Sequence, residues 1–483
     1  MLEALRHFRE QFLANGLVAT LFSIAGFTFA LFLVARMMSE KRAPANTFAW
    51  LLIIVLVPWV GVPLYLLLGG RKIRRLAERK SRLRPTLPHG TSGPFPVSES
   101  PTIQTIISAG GAPPVTGSSM RLLTSGEDAY ATLEHQIQHA RSTIHITAFI
   151  LGRDDTGRRI VRLLTQRARE GIKVRLLLDA VGSMFSTGMY VNPIRRAGGQ
   201  IGIFMPVLPF TSRGSANLRN HRKIAVFDHC TAIVGGHNLA REYIGPTKLA
   251  KRWQDFGAVI EGPAAALLNE VFIADWCFAT RDSADALHAE IPPACVSESR
   301  GSSELQVVAS GPDVPGDPLY EGIVSMIQEA QRSIWIVTPY FIPDDVLLRS
   351  LIVKASSGKE VTLITPRSSN HPVADFARRH YVRELQRAGA NVLLFNHGML
   401  HSKAMVVDDT VALLGSPNFD LRSLFVNFEI GVLVHSAADV NAIKAWAVDL
   451  AQRCHPPKPE KKRKTRLLGN VVEDLSRLLA PLL

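Results

Sequence analysis

Apolar residues run almost unbroken over 17–35 and again over 48–68, each close to the ~20 residues that a helix needs to cross a bilayer. Pro58 and Pro63 fall inside the second run, so a kink or an interfacial seat is compatible with it. A cleaved signal peptide is the alternative for the first run; its length, and the second run after only a short loop, favour two retained spans. Past residue 120 the pattern changes to short apolar strands alternating with amphipathic stretches, the rhythm of βαβ units. That rhythm occurs twice. Arg141-Ser142-Thr143-Ile144-His145-Ile146 returns as Arg332-Ser333-Ile334-Trp335-Ile336-Val337, and Gly171-Ile172-Lys173-Val174 as Gly358-Lys359-Glu360-Val361. Two copies are too few for a solenoid, so the pattern predicts an α/β chain of two duplicated halves that share one site.

Each half also carries an apolar run, a polar pair and a second apolar run: Ile224–Phe227 and 231–234 around Asp228-His229, then Ala404–Val407 and 411–414 around Asp408-Asp409. These read as hairpins. Both open on His-x-Lys-x4-Asp and close on a Gly-x-x-Asn: His221, Lys223, Asp228 and Asn238 in the first, His401, Lys403, Asp408 and Asn418 in the second. Residues two apart on a strand share a face, which sets each histidine beside its lysine. Reflecting Asn238 and Asn418 through the turns returns each to its own histidine. Asp228 and Asp408 lie at an odd offset and are expected to brace the hairpin, pointing away from the imidazole.

An imidazole, an ammonium and a carboxamide converging on one point suit a phosphodiester. Lys223, Lys403, Asn238 and Asn418 are candidate donors to its non-bridging oxygens, and an imidazole can attack phosphorus or deliver a proton near neutral pH. Two such sets facing each other need no cofactor and no metal. A neighbouring ammonium opposes a dication, and no His-x-x-x-His or Cys-x-x-Cys accompanies either motif.

Charge adds a surface. The chain carries 55 Lys and Arg against 41 Asp and Glu, a net +14. Arg71, Lys72, Arg74, Arg75, Arg79 and Lys80 follow the second apolar run, while Arg36, Lys41 and Arg42 occupy the loop and Arg6 and Arg9 precede the first. The positive-inside rule then places the N-terminus and both halves in the cytoplasm. The basic flank favours anionic headgroups, as does a second cluster of Lys458, Lys461, Lys462, Arg463, Lys464 and Arg466, for which a solvated tail is the alternative. Residues 467–483 suggest an amphipathic helix that docks on the protein or lies on the membrane. The four cysteines, Cys230, Cys277, Cys295 and Cys454, show no framework spacing and predict no disulfide.

The expected organisation is a membrane region over 1–84, a Pro-, Gly- and Ser-rich linker over 85–120 with at most short strands or turns, a first half over 121–296, a second over 297–456, and a C-terminal segment over 457–483.

At the paired motif the chain resembles the phospholipase D superfamily, and its flanks resemble the cardiolipin synthase branch. These flanks are Glu242-Tyr243-Ile244-Gly245, Arg252-Trp253-Gln254-Asp255, Glu261-Gly262-Pro263-Ala264 and Asp275-Trp276 in the first half, with Thr338-Pro339-Tyr340-Phe341-Ile342-Pro343-Asp344, Arg422-Ser423 and Asn427-Phe428-Glu429 in the second. The resemblance implies two phospholipase D-like α/β halves, mixed sheets flanked by helices, behind a two-helix transmembrane hairpin. It makes both His-x-Lys-x4-Asp sets catalytic, with His221 as nucleophile, His401 as acid and base, and Asp255 and Glu429 orienting the imidazoles. The substrate it implies is phosphatidylglycerol in a bacterial inner membrane, joined to a second copy as cardiolipin. Hydrolysis, or transfer to another alcohol, is the alternative. Few aromatic residues accompany the basic clusters, which together with the two spans argues against a nucleic-acid partner. One departure is Gly236-His237 where many relatives have Ser-x; it is expected to remove a hydroxyl at the phosphate.

Overall fold

A computed structural model describes residues 100–206 and 218–457 apart from positions 294, 296, 297 and 315, together with isolated positions between 20 and 61. The expected spans and the expected C-terminal helix therefore fall largely outside the described residues, among which no helix is long and apolar enough to cross a membrane. The chain divides into two units, Met1–Arg75 and Leu76–Leu483. In the first, helical hydrogen bonds run from Val57 N to Ile53 O and from Gly61 N to Val57 O.

In the second unit the strands are β1 (Val115–Leu123), β2 (Thr143–Ala148), β3 (Lys173–Asp179), β4 (Gln200–Phe204), β5 (Ile224–Phe227), β6 (Thr231–Gly235) and β7 (Gly257–Glu261). They continue with β8 (Ser303–Ser310), β9 (Ser333–Val337), β10 (Phe341–Ile342), β11 (Glu360–Pro366), β12 (Asn391–Phe395), β13 (Ala404–Val407), β14 (Val411–Gly415), β15 (Phe419–Asp420), β16 (Glu429–Val434) and β17 (Cys454–His455). From the centre outward one half runs β1-β7-β6-β5-β2-β3-β4 and the other β8-β16-β14-β13-β9-β11-β12, with β17 added at that edge. The two orders correspond strand for strand. Antiparallel pairing of β1 with β8 joins them, among the described residues, into a single sheet of 15 strands, where the resemblance implied separate sheets.

Local chemistry repeats with the topology. Asp154 caps helix Asp155–Arg169 by accepting from Gly157 N, and Asp344 caps helix Asp345–Ser356 by accepting from Val346 N and Leu347 N, in each case satisfying amides that the first helical turn leaves unpaired. Those helices end before Gly171 and Gly358, whose φ of 89° and 81° are left-handed values that favour glycine. Both motif hairpins turn on two residues of positive φ, Asp228-His229 and Asp408-Asp409, the tight turn whose twist matches the flanking strands.

Helices Pro263–Thr280 and Ala437–Gln452 share one apolar core that includes Val226, Val234 and Phe256 from the first half and Val406, Val432 and Trp446 from the second. Phe256 and Trp446 stack with ring centroids 3.9 Å apart. The halves are thus fused through a common core as well as a common sheet. On the opposite face each half keeps a core of its own.

Two sequence expectations fail here. The stretch read as a linker holds helix Pro101–Ser108, which packs against helix Pro318–Glu329, and the start of the central strand β1. Cys230 and Cys295 form a disulfide, their Cα atoms 4.8 Å apart, tying the first motif turn to the segment between the halves. Their separation of 65 residues matches no recognised spacing, so the fold alone reveals the pair.

Candidate active site

Each motif strand is extended at its start by a short parallel pairing with the other half. Asn220 bridges to Phe428, with His221 N donating to Phe428 O at 2.9 Å and Phe428 N to Arg219 O at 2.9 Å. Leu400 bridges to Gln254, with His401 N donating to Gln254 O at 2.7 Å and Gln254 N to Met399 O at 2.8 Å. The next residue on each borrowed segment is acidic: Glu429 after Phe428, Asp255 after Gln254. Its carboxylate therefore meets the imidazole of the opposite half. His221 Nδ1 lies 2.9 and 3.1 Å from the two Glu429 oxygens, and His401 Nδ1 lies 2.7 Å from Asp255 Oδ2. A carboxylate at Nδ1 holds the proton there and leaves the Nε2 lone pair of His221 for chemistry, whereas at His401 the Lys403 Nζ also lies 3.1 Å from Nε2 and 2.9 Å from Nδ1.

The two imidazoles line one cavity of ≈ 400 Å³ together with Asn238, Asn418, Tyr243 and Tyr340, within the size range of small-molecule sites. Asn238 Oδ1 accepts from Ile150 N at 3.1 Å, which fixes the carboxamide. The lysines take up a different post from the one the spacing suggested. Lys223 Nζ donates to the carbonyl of His221 at 2.7 Å and Lys403 Nζ to that of His401, and neither lines the cavity. An ammonium has three donors, so each lysine anchors its histidine and retains protons behind it.

Asp228 and Asp408, which the motif counts as catalytic, stand away from the imidazoles. Asp228 accepts from the amides of Arg141, Ser142 and Thr143 at 2.7–3.0 Å. Asp408 accepts from Gln331, Arg332 and Ser333 at 2.6–2.8 Å. The repeated Arg-Ser seen in the sequence is thus the other side of this brace. Burial pushes both carboxyls up, but the amides outweigh it and hold them below the usual carboxylate range.

Burial dominates the electrostatics. It pulls Lys223 down to about 7 and Lys403 to about 8 against the pull of nearby carboxylates. Burial and then the lysine charges hold His401 well below the ordinary imidazole value; His221 is lowered by burial as well, with Glu429 opposing. The acids diverge. Asp255 is pushed up by burial, whereas for Glu429 burial also pushes up but His221, Lys223 and the Ser416 hydroxyl together hold it low. The Ser416 hydroxyl, which donates to Glu429, contributes to that difference, and Ser423 Oγ donates to the same carboxylate at 2.8 Å.

Ser416 occupies the position of Gly236, so the departure noted in the sequence acts at the carboxylate and not at the phosphate. At Gly236 a Cβ would lie 2.1 Å from Asp255 Oδ1. Further residues escaped sequence reasoning. Asp179 accepts from Asn220 N at 2.9 Å. Buried Arg222 donates to Glu429 O at 2.9 Å and to Ser310 O at 3.0 Å, and pairs with Asp275 at 2.6 Å. Asp275 had been visible as part of a flanking motif; Arg222, between the motif His and Lys, had no signal of its own. Among the described residues no cluster of three or more His, Cys, Asp or Glu is placed to hold a metal ion.

Duplicated α/β halves around a shared cavity carrying both His-x-Lys-x4-Asp motifs put the chain in the phospholipase D-like class. Similarity to known proteins narrows this further. The family model described as "Cardiolipin synthase, PLD-like domain" matches residues 133–276 and 323–450, and "Phospholipase_D-nuclease N-terminal" matches 25–70. The chain is 32% identical to the cardiolipin synthase of Geobacillus kaustophilus, covering 97% of this chain and 95% of that one. It is 31% identical to cardiolipin synthase 1 of Bacillus anthracis, covering 95% and 92%. The crystal structure of phosphatidylserine synthase from Haemophilus influenzae shares the fold, with a TM-score of 0.59 at 17% identity over 79% of this chain and 100% of that one. The chain belongs to the cardiolipin synthase family of phosphatidyl-transferring enzymes.

The Gly236 geometry generates a test. Gly236→Ser restores the serine seen in many relatives yet drives its Cβ into Asp255, so kcat should fall about 10²-fold through displacement of His401, while Gly236→Ala, which adds the same Cβ without a hydroxyl, falls alike. Parental kcat in either variant would show that the carboxylate has room.

Proposed function

We propose that the protein transfers the phosphatidyl group of one phosphatidylglycerol to a free hydroxyl of another, giving cardiolipin and glycerol. The observation that carries this reading is the pair of imidazoles in one cavity, each fixed at Nδ1 by a carboxylate of the opposite half. His221 Nε2 attacks phosphorus, the bond from phosphorus to the glycerol oxygen breaks, and His401 gives that oxygen its proton. The second lipid then yields its hydroxyl proton to His401 as its oxygen takes phosphorus from His221. Asn238 and Asn418, which line the cavity, stabilise charge on the non-bridging oxygens, and the Lys223 and Lys403 charges act from behind the histidines. In the empty site His401 is neutral, held so by burial and by the lysines. An arriving phosphodiester adds negative charge among those cations and raises the imidazole pKa, so the proton needed for the leaving alcohol is taken up as substrate binds.

The membrane hairpin over 17–35 and 48–68 would seat the enzyme on its substrate. Leu56 and Trp59 expose 69% and 70% of their surface in the first unit, as lipid-facing residues do. Six lysines and arginines over 71–80 against three over 36–42 support a cytoplasmic orientation of the halves at a bacterial inner membrane. The Cys230–Cys295 bridge of the structure is the kind found on an oxidising side, so on a cytoplasmic face it would be kept reduced by the cell, and the redox state of the pair tests the orientation.

His221→Ala and His401→Ala should each lower turnover by at least about 10⁴-fold, and the parent should convert labelled phosphatidylglycerol to cardiolipin and glycerol in equal amounts. Phosphatidate as main product, or cardiolipin from either variant, would contradict the scheme. Alkylation of the unreduced, denatured protein taken from membranes should find all four cysteines free; only two would put the halves on the oxidising side.

A further inference from the structure

The turn that follows β3 inverts the usual order of a surface loop. Val181, Met184, Phe185 and Met189 are 41%, 54%, 73% and 86% exposed, whereas Ser183 and Ser186 among them are buried. Both hydroxyls are used inside the protein. Ser183 Oγ donates to Phe149 O at 2.8 Å and accepts from Leu151 N at 3.0 Å, and Ser186 Oγ donates to Leu151 O. Single exposed apolar side chains are ordinary on a protein surface. Four on one short turn whose serines face inward form a patch of the kind that meets a partner.

The turn is also fixed to the site. Asp179, the last residue of β3, accepts from Val181 N and Gly182 N at 2.9 and 3.0 Å through Oδ1, and from Asn220 N at 2.9 Å through Oδ2. Asn220 directly precedes His221. Ser183 holds the other side of the turn to the segment 149–151, of which Phe149 and Ile150 line the cavity, as does Val181 itself. The apolar patch is thus continuous with the cavity wall.

Charge and substrate point to what covers it. No Asp or Glu occurs from 180 to 199, and Arg195 and Arg196 in that stretch are exposed. Apolar tips beside guanidinium groups suit the boundary between acyl chains and anionic headgroups. A cavity of ≈ 400 Å³ holds a headgroup but not two long acyl chains, which have to stay in apolar surroundings while phosphorus reaches His221. We propose that the turn over 181–189 enters the bilayer interface, seating Met184, Phe185 and Met189 among the acyl chains, so that the Asp179 brace sets the depth at which a lipid phosphodiester meets His221. This rests on the phosphatidyl-transfer reading above.

The test compares two forms of the substrate on the full-length enzyme. Met184→Ser, Phe185→Ser and Met189→Ser, combined, should lower turnover of long-chain phosphatidylglycerol in vesicles about tenfold or more, the loss of three apolar contacts with lipid, and leave turnover of monomeric short-chain phosphatidylglycerol at the parental value. Equal losses on both forms, or no loss on vesicles, would overturn the proposal. A second readout is independent of turnover. Phe185→Trp, made with ¹⁹F-tryptophan and placed in nanodiscs, should show a resonance absent from the parent that broadens with doxyl-labelled lipid. A resonance that stays sharp with that lipid, or that responds instead to protein concentration, would overturn the membrane contact, the latter marking an interface between copies. A parent that makes no cardiolipin from either form while the resonance broadens would overturn the underlying reaction instead.

Discussion

Neither half can finish its own site, because the carboxylate that fixes each imidazole belongs to the other. Glu429 reaches His221 and Asp255 reaches His401, and both reach across because the backbone just before them pairs with the backbone just before the histidine. The hydrogen bonds of the fold and those of the chemistry are adjacent in sequence. A shift of one residue in either short pairing would turn the acid to the opposite side of its strand, so the register of the exchange is also the alignment of the site.

The rest of the molecule holds that register. The central β1–β8 pairing and the shared core around Phe256 and Trp446 set the halves rigidly together. Arg222 reinforces the crossing directly, binding Glu429 O and Ser310 O from the second half while paired with Asp275 of the first. Removing one member of such a buried pair typically costs about 3–5 kcal/mol. The aspartates of the two motifs act a step further out, where each ties its hairpin to the neighbouring strand through three amides. Symmetry then breaks at one carbon. Ser416 gives Glu429 a hydroxyl, and Gly236 leaves Asp255 room but no donor, so the two imidazoles are served by unequal acids. Unequal acids suit two histidines given different tasks.

Much of this was legible in the chain. Strand periodicity and a two-residue turn place Asn238 and Asn418 opposite their own histidines and send Asp228 and Asp408 the other way, because alternation along a strand leaves no other choice. Contacts between the halves were not legible. Nothing local ties Glu429 to His221 across 208 positions, or Cys230 to Cys295. The lysines illustrate the same limit: spacing sets Lys223 beside His221, but whether its ammonium turns to the cavity or to the His221 carbonyl is decided by packing. The hydroxyl missing at Gly236 was expected at the phosphate because the motif alone cannot show that the matching Ser416 lies against a buried glutamate. Helix Pro101–Ser108 was lost in a stretch whose prolines and glycines read as linker, since its capping Ser100 and Pro101 look the same in a turn.

The crossed pairing is open to direct measurement by NMR of the side-chain N–H protons of enzyme labelled with ¹⁵N-histidine. Glu429→Gln should shift or remove the Nδ1 proton signal of His221 and spare that of His401, and Asp255→Asn should do the reverse. If Glu429→Gln altered His401 and left His221 untouched, each acid would be serving its own half, and the exchange on which this account rests would be wrong.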